Sequence, residues 1–275
     1  MPAAPPNPPP AALNVTLHRG MALLEILARS GRPLGVSELA MRTETAKSTT
    51  HRILQTLTEL GYVRRDPDSG TYRAAIRLWE LGAAMFANMD LPALASPAME
   101  RLLDDWRETV HLSVLDDAEV VYLHKLDSPE PVRAYSQVGG RAPAHCVATG
   151  KAILAFQDPV RLEALSRRLV AHSPRTITDP AAFLAEMARI RAEGHAVNRG
   201  EWRQTVHGLG APVRDPHGRV IAGVGISMPA QRFEGNDLAA MAASVRRTAD
   251  EIGAAIGGAR GPAARSAPSA ASTTP

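Results

Sequence analysis

The stretch that most constrains the fold spans residues 45–63 and reads TAKSTTHRILQTLTELGYV, polar at its start and apolar afterwards. On a helical wheel with about 100° per residue, four apolar residues fall on one side, namely Ile53, Leu54, Leu57 and Leu60. The opposite side is polar, most of all near the N-terminus. The pattern predicts a helix that begins near Ala46, has Thr45 as its N-cap, and buries only one face.

The segments on either side of this helix define a larger motif. Upstream, LHRGMALLEILARSG predicts an amphipathic helix, and VSELAMR predicts a short second one capped by Gly35 or Ser37. The buried face expected for the first helix consists of Leu17, Met21, Leu24 and Leu27. Downstream, GYVRRDPDSGTYRA has the strand–turn–strand pattern of a hairpin. Three helices followed by a hairpin predict a winged helix-turn-helix at residues 14–76.

The exposed side of the third helix is suited to contact with DNA. In helix-turn-helix proteins the second helix of the motif enters the major groove with its N-terminal residues. Hydroxyls and free amides there suit phosphates, whereas Arg52 suits guanine and Gln55 suits adenine. The candidate DNA contacts are Lys47, Ser48, Thr49, His51, Arg52 and Gln55 on the helix and Arg64, Arg65 and Arg73 on the wing. The alternative interpretation is a solvated polar face, which most surface helices have.

The composition narrows the class of protein without identifying it. With 45% hydrophobic and 21% charged residues, the chain of 275 residues is typical of soluble globular proteins. Its one cysteine, Cys146, gives no internal disulfide and no zinc-ligand spacing. We expect a cytoplasmic location, because the proline-rich start is not a signal peptide and no run is long enough to span a membrane. The net charge of +3 does not by itself indicate nucleic-acid binding.

The rest of the chain predicts a second, mixed domain at residues 92–256. ETVHLSVLDDAEVVYLHKLD predicts a hairpin, PVRAYSQV a further strand, and GGRAPAHCVATGKAILAF a glycine loop that leads into a helix. Residues 180–194 and 235–256 predict helices, and the segment between them predicts strands joined at a PHG turn. This order indicates an antiparallel sheet with helices packed on it. The Pro- and Ala-rich ends, 1–13 and 257–275, are expected to be disordered tails.

Both halves resemble the IclR family of bacterial transcriptional regulators. The family's K-S-T-x-H-R core matches the third helix, and ETVHLSVLD, GHAVNRGEW, GLGAPVRDPHGRV and GISMP match the second domain. Two positions depart from the pattern, because Glu44 and Ala46 replace the usual Gly and Pro. Glu44 must therefore adopt a turn conformation that glycine finds easier.

The resemblance implies an α+β fold in which the winged helix-turn-helix is joined by a linker helix, residues 77–91, to a GAF-like α/β effector-binding domain. It implies double-stranded DNA with a palindromic operator as the partner, bound by a homodimer or a dimer of dimers. Four apolar linker residues are expected to help pair the subunits: Leu78, Leu81, Met85 and Phe86.

The resemblance also implies a small-molecule effector, and a glycine loop at a helix start suits a small carboxylic acid. The expected contacts are His145, Ala148, Thr149, Gly150, Asn198, Val206, Gly208, Gly225 and Ser227. Arg133 and Arg141 are candidate counter-ions, with surface solvation as an equal alternative.

No catalytic constellation is recognisable, so the chain is not expected to be an enzyme. ATGKA is not a phosphate-binding loop, because His145 and Ala152 occupy positions that require Gly and Ser or Thr. No orienting group is identifiable for Cys146 as a nucleophile, and no HxH or HExxH spacing indicates a metal; no cofactor is expected. The alternatives left open are a small-molecule enzyme, or a ligand-binding module with a winged-helix interaction domain.

Overall fold

The winged helix-turn-helix expected from the sequence is the first of two units, which divide after residue 88. The computed structural model describes residues 14–86 and 91–259, with side chains left out from 83 to 86 and at 259. The elements of this unit are α1 (Val15–Arg29), α2 (Val36–Arg42), α3 (Lys47–Glu59), β1 (Val63–Arg65), β2 (Tyr72–Ala74) and α4 (Arg77–Phe86). β1 and β2 form the antiparallel wing.

The first helix buries a different stripe from the one that its apolar spacing predicts. Its buried residues are Gly20, Leu23, Leu24 and Leu27. Leu17 is 64% exposed and Met21 is 52% exposed, so their predicted burial is wrong. The buried stripe is the side of α1 that packs on α3, where a Cβ on Gly20 would lie 3.6 Å from Ile53, an ordinary contact distance.

The turn before α3 confirms one expectation and corrects another. Glu44 has a φ of 49°, the left-handed conformation that its replacement of glycine requires. Ala46, however, is the N-cap, and it makes no side-chain cap hydrogen bond. The Thr45 hydroxyl instead donates to the Thr43 carbonyl at 2.9 Å, so it stabilises the turn. Leu60, expected on the buried side, follows α3 as its C-cap and is 52% exposed.

The second unit is built on one antiparallel sheet of six strands in the order β5-β4-β3-β8-β7-β6. Its strands are β3 (Thr109–Asp116), β4 (Glu119–Leu126), β5 (Arg141–Pro143), β6 (Ala196–Arg199), β7 (Val206–Arg214) and β8 (Val220–Pro229). Its α-helices are α5 (Leu91–Trp106), α6 (Ala148–Leu154), α7 (Pro159–Ser166), α8 (Pro180–Glu193), α9 (Ala230–Glu234) and α10 (Leu238–Ala259), and a 3₁₀ turn at Ala144–Cys146 precedes α6. The α+β fold class and the expected hairpins are confirmed.

Alternation along the strands divides this unit into two cores. Leu209, Ala211 and Val213 of β7 face a core shared with α5 and α10. Gly210, between them, faces α6 on the other side of the sheet. The second core includes Phe183, Met187 and Ile190 of α8, the face predicted for that helix.

The strand predicted at PVRAYSQV, residues 131–138, is wrong: this segment is a loop. Its would-be partner, β4, bonds instead to the chain just beyond it, because the Tyr122 amide donates to the Gly140 carbonyl and β4 pairs with β5. β5, at Arg141–Pro143, was not predicted. Residues 257–259, expected to belong to the C-terminal tail at 257–275, are instead the end of α10. Residues 1–13, 87–90 and 260–275 lie outside the described residues.

Candidate functional site

The exposed face of α3 carries the predicted DNA contacts. Lys47, Ser48, His51, Arg52 and Gln55 are exposed and Thr49 is half-buried, while Ile53, Leu54 and Leu57 are buried in the core of the unit. Of the six predicted contacts on α3, Gln55 alone bonds to a neighbouring side chain within the described part of the chain, with a long 3.4 Å contact to Glu59. The polar groups of the face are therefore directed to solvent and free to bind another molecule.

The wing concentrates positive charge on three arginines, and the Asp66 carboxylate lies close enough to feel the charge of one of them, Arg73. Arg64 and Arg73 are direct cross-strand partners, and Arg65 is the next residue along β1. All three are exposed. Like charges opposite each other repel, so this pairing costs stability unless an anion lies against it. A phosphate backbone supplies such an anion.

A cavity lies in the second unit where the start of α6 meets β3, β7 and β8. Seven of the predicted effector contacts line it: Ala148, Thr149, Asn198, Val206, Gly208, Gly225 and Ser227. The cavity is open to solvent and encloses about 530 Å³ of empty space, counting its open mouth. The sequence motifs of distant segments thus converge on one cavity.

Glycines in the central strands shape this cavity by letting α6 lie directly on the sheet. A Cβ at Gly210 would lie 2.6 Å from the Ala148 carbonyl carbon, and one at Gly223 would lie 2.6 Å from the Thr149 carbonyl oxygen. Such distances are far inside van der Waals contact, so only glycine permits this approach. The first turn of α6 consequently forms one wall.

His111 on β3 contributes the polar floor of the cavity. Its Nδ1 lies 3.2 Å from the Ser227 hydroxyl, and its Nε2 contacts the Ser136 hydroxyl. Burial, and next the charge of Lys125, lower the pKa of His111 to about 3. The imidazole is therefore neutral near pH 7, with one ring nitrogen donating and the other accepting.

A buried polar network holds the wall made by residues 198–206. The Asn198 amide oxygen accepts from the Glu201 backbone N–H at 2.9 Å, and its Nδ2 donates to the Val206 carbonyl at 3.4 Å. Lys151 of α6 lies 2.6 Å from the Glu201 carboxylate and 3.2 Å from that of Glu186. Burial raises the pKa of Glu201 although Lys151 opposes the shift.

Arg203 brings a positive charge to the cavity. Its guanidinium lies 4.5 Å from the centre of the Trp202 ring, and both residues line the cavity. Within the described residues Arg203 makes no ion pair, unlike most arginines of this unit. Sequence reasoning missed it because GEWRQT carries no spacing signal. Five other polar or aromatic lining residues were also missed: His111, Tyr122, Tyr135, Ser136 and Trp202.

Four predicted effector contacts lie outside the cavity lining. Arg133 pairs with Asp127 at 3.4 Å, and Arg141 pairs with Asp116 and Glu119, so the structure places both candidate counter-ions in surface ion pairs. His145 Nε2 bonds to the Val170 carbonyl at 3.0 Å. Gly150 packs against the Ala144 backbone, where a Cβ would lie 2.3 Å from the carbonyl oxygen.

Two family models match the chain in the order of its two units. The model described as "IclR helix-turn-helix domain" matches residues 16–67, and that of the "Bacterial transcriptional regulator IclR C-terminal" matches residues 83–254. The chain belongs to the IclR family. It is 36% identical over 228 residues to the HTH-type transcriptional regulator KdgR of Escherichia coli K12, covering 82% of this chain and 87% of that protein. The acetate operon repressor of Salmonella typhimurium is 28% identical over 249 residues, covering 89% and 91%.

Solved structures agree with this assignment. The IclR protein of Thermotoga maritima superposes with a TM-score of 0.74 at 27% identity, covering 88% of this chain and 98% of that one. An IclR homolog of Microbacterium hydrocarbonoxydans complexed with 4-hydroxybenzoate gives a TM-score of 0.77 at 29% identity, with coverages of 88% and 98%. This IclR-family member is thus a transcriptional regulator with a helix-turn-helix DNA-binding domain, not an enzyme. None of its described helices is long and apolar enough to cross a membrane.

Proposed function

We propose that this regulator acts in the cytoplasm, binds a palindromic operator as a homodimer or dimer of dimers, and is controlled by a small carboxylic acid. The acid occupies the cavity between α6 and the sheet. The observation that carries the assignment of the acid is Arg203. This arginine lies at a largely apolar cavity and has no acidic partner among the described residues.

The cavity pairs one cation with neutral hydrogen-bonding groups. A guanidinium binds a carboxylate through two parallel hydrogen bonds, the strongest neutralisation available to an unpaired arginine. Trp202 holds this guanidinium by a cation–π contact. His111 is neutral, and burial raises the pKa of Tyr122 to about 12, so neither supplies a competing charge.

The remaining groups suit the neutral end of a compact acid. Ser227, Ser136 and Thr149 present hydroxyls, whereas Val147, Ala148 and Val206 contribute apolar wall. A flat or short carbon skeleton with a hydroxyl fits this combination. The related protein from Microbacterium hydrocarbonoxydans was crystallised with 4-hydroxybenzoate, a molecule of this chemical class, which supports the proposal.

Exposed apolar residues of the first unit support subunit pairing. On α4, Trp79 is 69% exposed and Leu81 is 50% exposed. Leu78, also expected to pair subunits, packs against the core of its own unit instead. The side chains of Met85 and Phe86 lie outside the described residues. A two-fold pair of α4 helices would cover this surface and present two α3 helices to the halves of a palindrome.

Control of DNA binding follows from linkage. A ligand that prefers one arrangement of the paired DNA-binding domains changes operator affinity by the ratio of its affinities for the two arrangements. Whether the acid releases the operator or strengthens its binding depends on which arrangement the acid prefers.

A calorimetric screen of small carboxylic acids against the full chain tests the effector assignment. We expect Arg203→Ala to weaken binding of the best acid roughly 10- to 100-fold, as the loss of a charge-assisted hydrogen-bonded pair implies. Arg133→Ala is the matched control, because Arg133 lies in a surface ion pair with Asp127. Equal weakening by both variants, or by neither, would remove Arg203 as the carboxylate site.

A further inference from the structure

Three metal-ligating side chains come together behind the cavity, at a place that neither DNA binding nor the effector uses. His145 and Cys146 belong to the 3₁₀ turn before α6, and His172 belongs to the loop that precedes α8. One ring nitrogen of each histidine and the cysteine sulfur all lie within 4.8 Å of one another. From these residues we infer a site for a divalent zinc-class cation, with two imidazoles and one thiolate as protein ligands.

To bind one metal ion, the three ligand atoms would have to move closer together. Zinc binds imidazole nitrogen at about 2.0 Å and thiolate sulfur at about 2.3 Å, which places tetrahedral ligand atoms about 3.5 Å apart. His172 is the exposed member of the cluster and supplies the adjustable side chain. Its backbone is already anchored, because the His172 amide donates to the Thr176 hydroxyl at 3.0 Å.

His145 is oriented as a metal-bound histidine would be. Its Nε2 lies 3.0 Å from the Val170 carbonyl oxygen. A carbonyl oxygen only accepts hydrogen bonds, so Nε2 carries the hydrogen and Nδ1 keeps a free lone pair. Histidine ligands characteristically donate their other N–H to a carbonyl or carboxylate in this way, which fixes the tautomer and the ring orientation.

A carboxylate lies near the thiol, and Lys151 already pairs with one of its oxygens, Glu201 Oε1. Cys146 is fully buried and free, and the nearby Glu201 carboxylate has one oxygen, Oε2, that is buried without a hydrogen-bond partner in the described structure. Thr176 ties Glu201 to the cluster, because its hydroxyl donates to the Glu201 carbonyl at 2.6 Å. The exposed position of His172 leaves the fourth coordination site to water.

The site would connect metal occupancy to the cavity. Cys146 is followed directly by Val147, Ala148 and Thr149, which form the wall at the start of α6. A cation that joins the 3₁₀ turn to the 172 loop would hold this wall in place. The metal is assigned on its own ligands, so the inference stands whether or not the effector is a carboxylic acid.

Titration of the full-length protein with Co²⁺ and Zn²⁺, after treatment with a chelator, tests the site. We expect one equivalent per chain, with a thiolate-to-cobalt charge-transfer band that Zn²⁺ removes.

Variants locate the binding. His172→Ala, at an exposed position, should weaken Co²⁺ binding more than about tenfold, and Cys146→Ala should remove the charge-transfer band. His217→Ala, an exposed histidine in the β7–β8 turn, should bind as the wild type does. Binding without a thiolate band, equal binding by His172→Ala and His217→Ala, or no binding would each overturn the inference. Because His172 is exposed, its variant decides the matter even if Cys146→Ala does not fold.

Discussion

Lys151 Nζ lies 2.6 Å from Glu201 Oε1, and both side chains are buried. This ion pair joins α6 to the segment that carries Trp202 and Arg203, two residues that line the cavity. Breaking a buried pair by removing one partner leaves an uncompensated charge. The pair therefore positions the wall of the cavity that would face the proposed acid.

The first prediction concerns this pair. Lys151→Met keeps the side-chain length but strands the Glu201 carboxylate, so we expect the free energy of unfolding to fall by about 3–5 kcal/mol. Urea denaturation measures the change. The double variant Lys151→Met with Glu201→Gln should recover part of the loss, because no buried charge then lacks a partner. A loss below about 1 kcal/mol in the single variant would contradict the structural role given to the pair.

A second prediction follows from His111, which faces Tyr122, Ser136, Ser227 and the charge of Lys125. The pKa of His111 is about 3 in the folded state, well below its usual 6.5. Between these values the unfolded chain binds a proton that the folded chain does not, so stability falls as pH decreases below about 6.5.

Urea unfolding at pH 7.5 and pH 5.0 measures this loss, which should amount to about 2 kcal/mol from His111. His111→Gln removes the titrating ring, so its stability should change less over the same interval. The same pH dependence in both proteins would show that His111 is not the group responsible.

The third prediction concerns the exposed face of α3. Arg52→Ala should weaken operator binding by about 1–3 kcal/mol, the usual value of one good base contact, without changing the unfolding curve. Arg29→Ala, which removes an exposed charge from the end of α1, serves as the control for general electrostatics. Gel-shift titrations on a DNA fragment selected by the protein from a random pool compare the two. Equal effects would argue against a base contact by Arg52.

The wing gives a fourth prediction of a different kind. Arg64 lies opposite Arg73, where a DNA phosphate would relieve their repulsion. Arg64→Ala should weaken binding to all sequences alike and lower the slope of log K against log salt by about 1. An unchanged slope would place the wing away from the DNA backbone.

The fifth prediction tests subunit pairing through α4. Leu81 is half exposed, and a charge there would oppose burial in a dimer contact. Leu81→Asp should shift the protein towards monomer in sedimentation velocity, whereas Met41→Asp, on the 77% exposed Met41 of α2, should not. A Leu81→Asp protein that stays fully dimeric would move the pairing surface elsewhere.

Residue periodicity predicted the regular elements well and the irregular ones poorly. The period of 3.6 in α3 and α8 and the turn chemistry of the three hairpins are local properties, so they can be recognised without the fold. The 131–138 segment has strand-like residues, yet β4 bonds to the chain beyond it, and only the tertiary structure decides that choice. Likewise, which stripe of α1 is buried depends on its packing against α3, a helix distant in the sequence.

The residues of the cavity likewise divide into those that sequence motifs could predict and those that they could not. Family motifs led to Asn198, Gly225 and Ser227, which line the cavity, because they lie in recognisable segments. No sequence motif identifies the arginine that binds an acidic effector. Arg133 and Arg203 are indistinguishable in the sequence, and they differ only in that an aspartate pairs with the first while the second lies at the cavity.

The most direct test of effector control is the operator affinity of the wild type and of Arg203→Ala, each measured with and without the best-binding carboxylic acid. The account predicts that the acid changes wild-type affinity at least about fivefold, the lower end of usual allosteric coupling, and that Arg203→Ala loses this response at the same acid concentration while binding free operator normally. An acid response of equal size in both proteins, or none in the wild type at saturating acid, would contradict it.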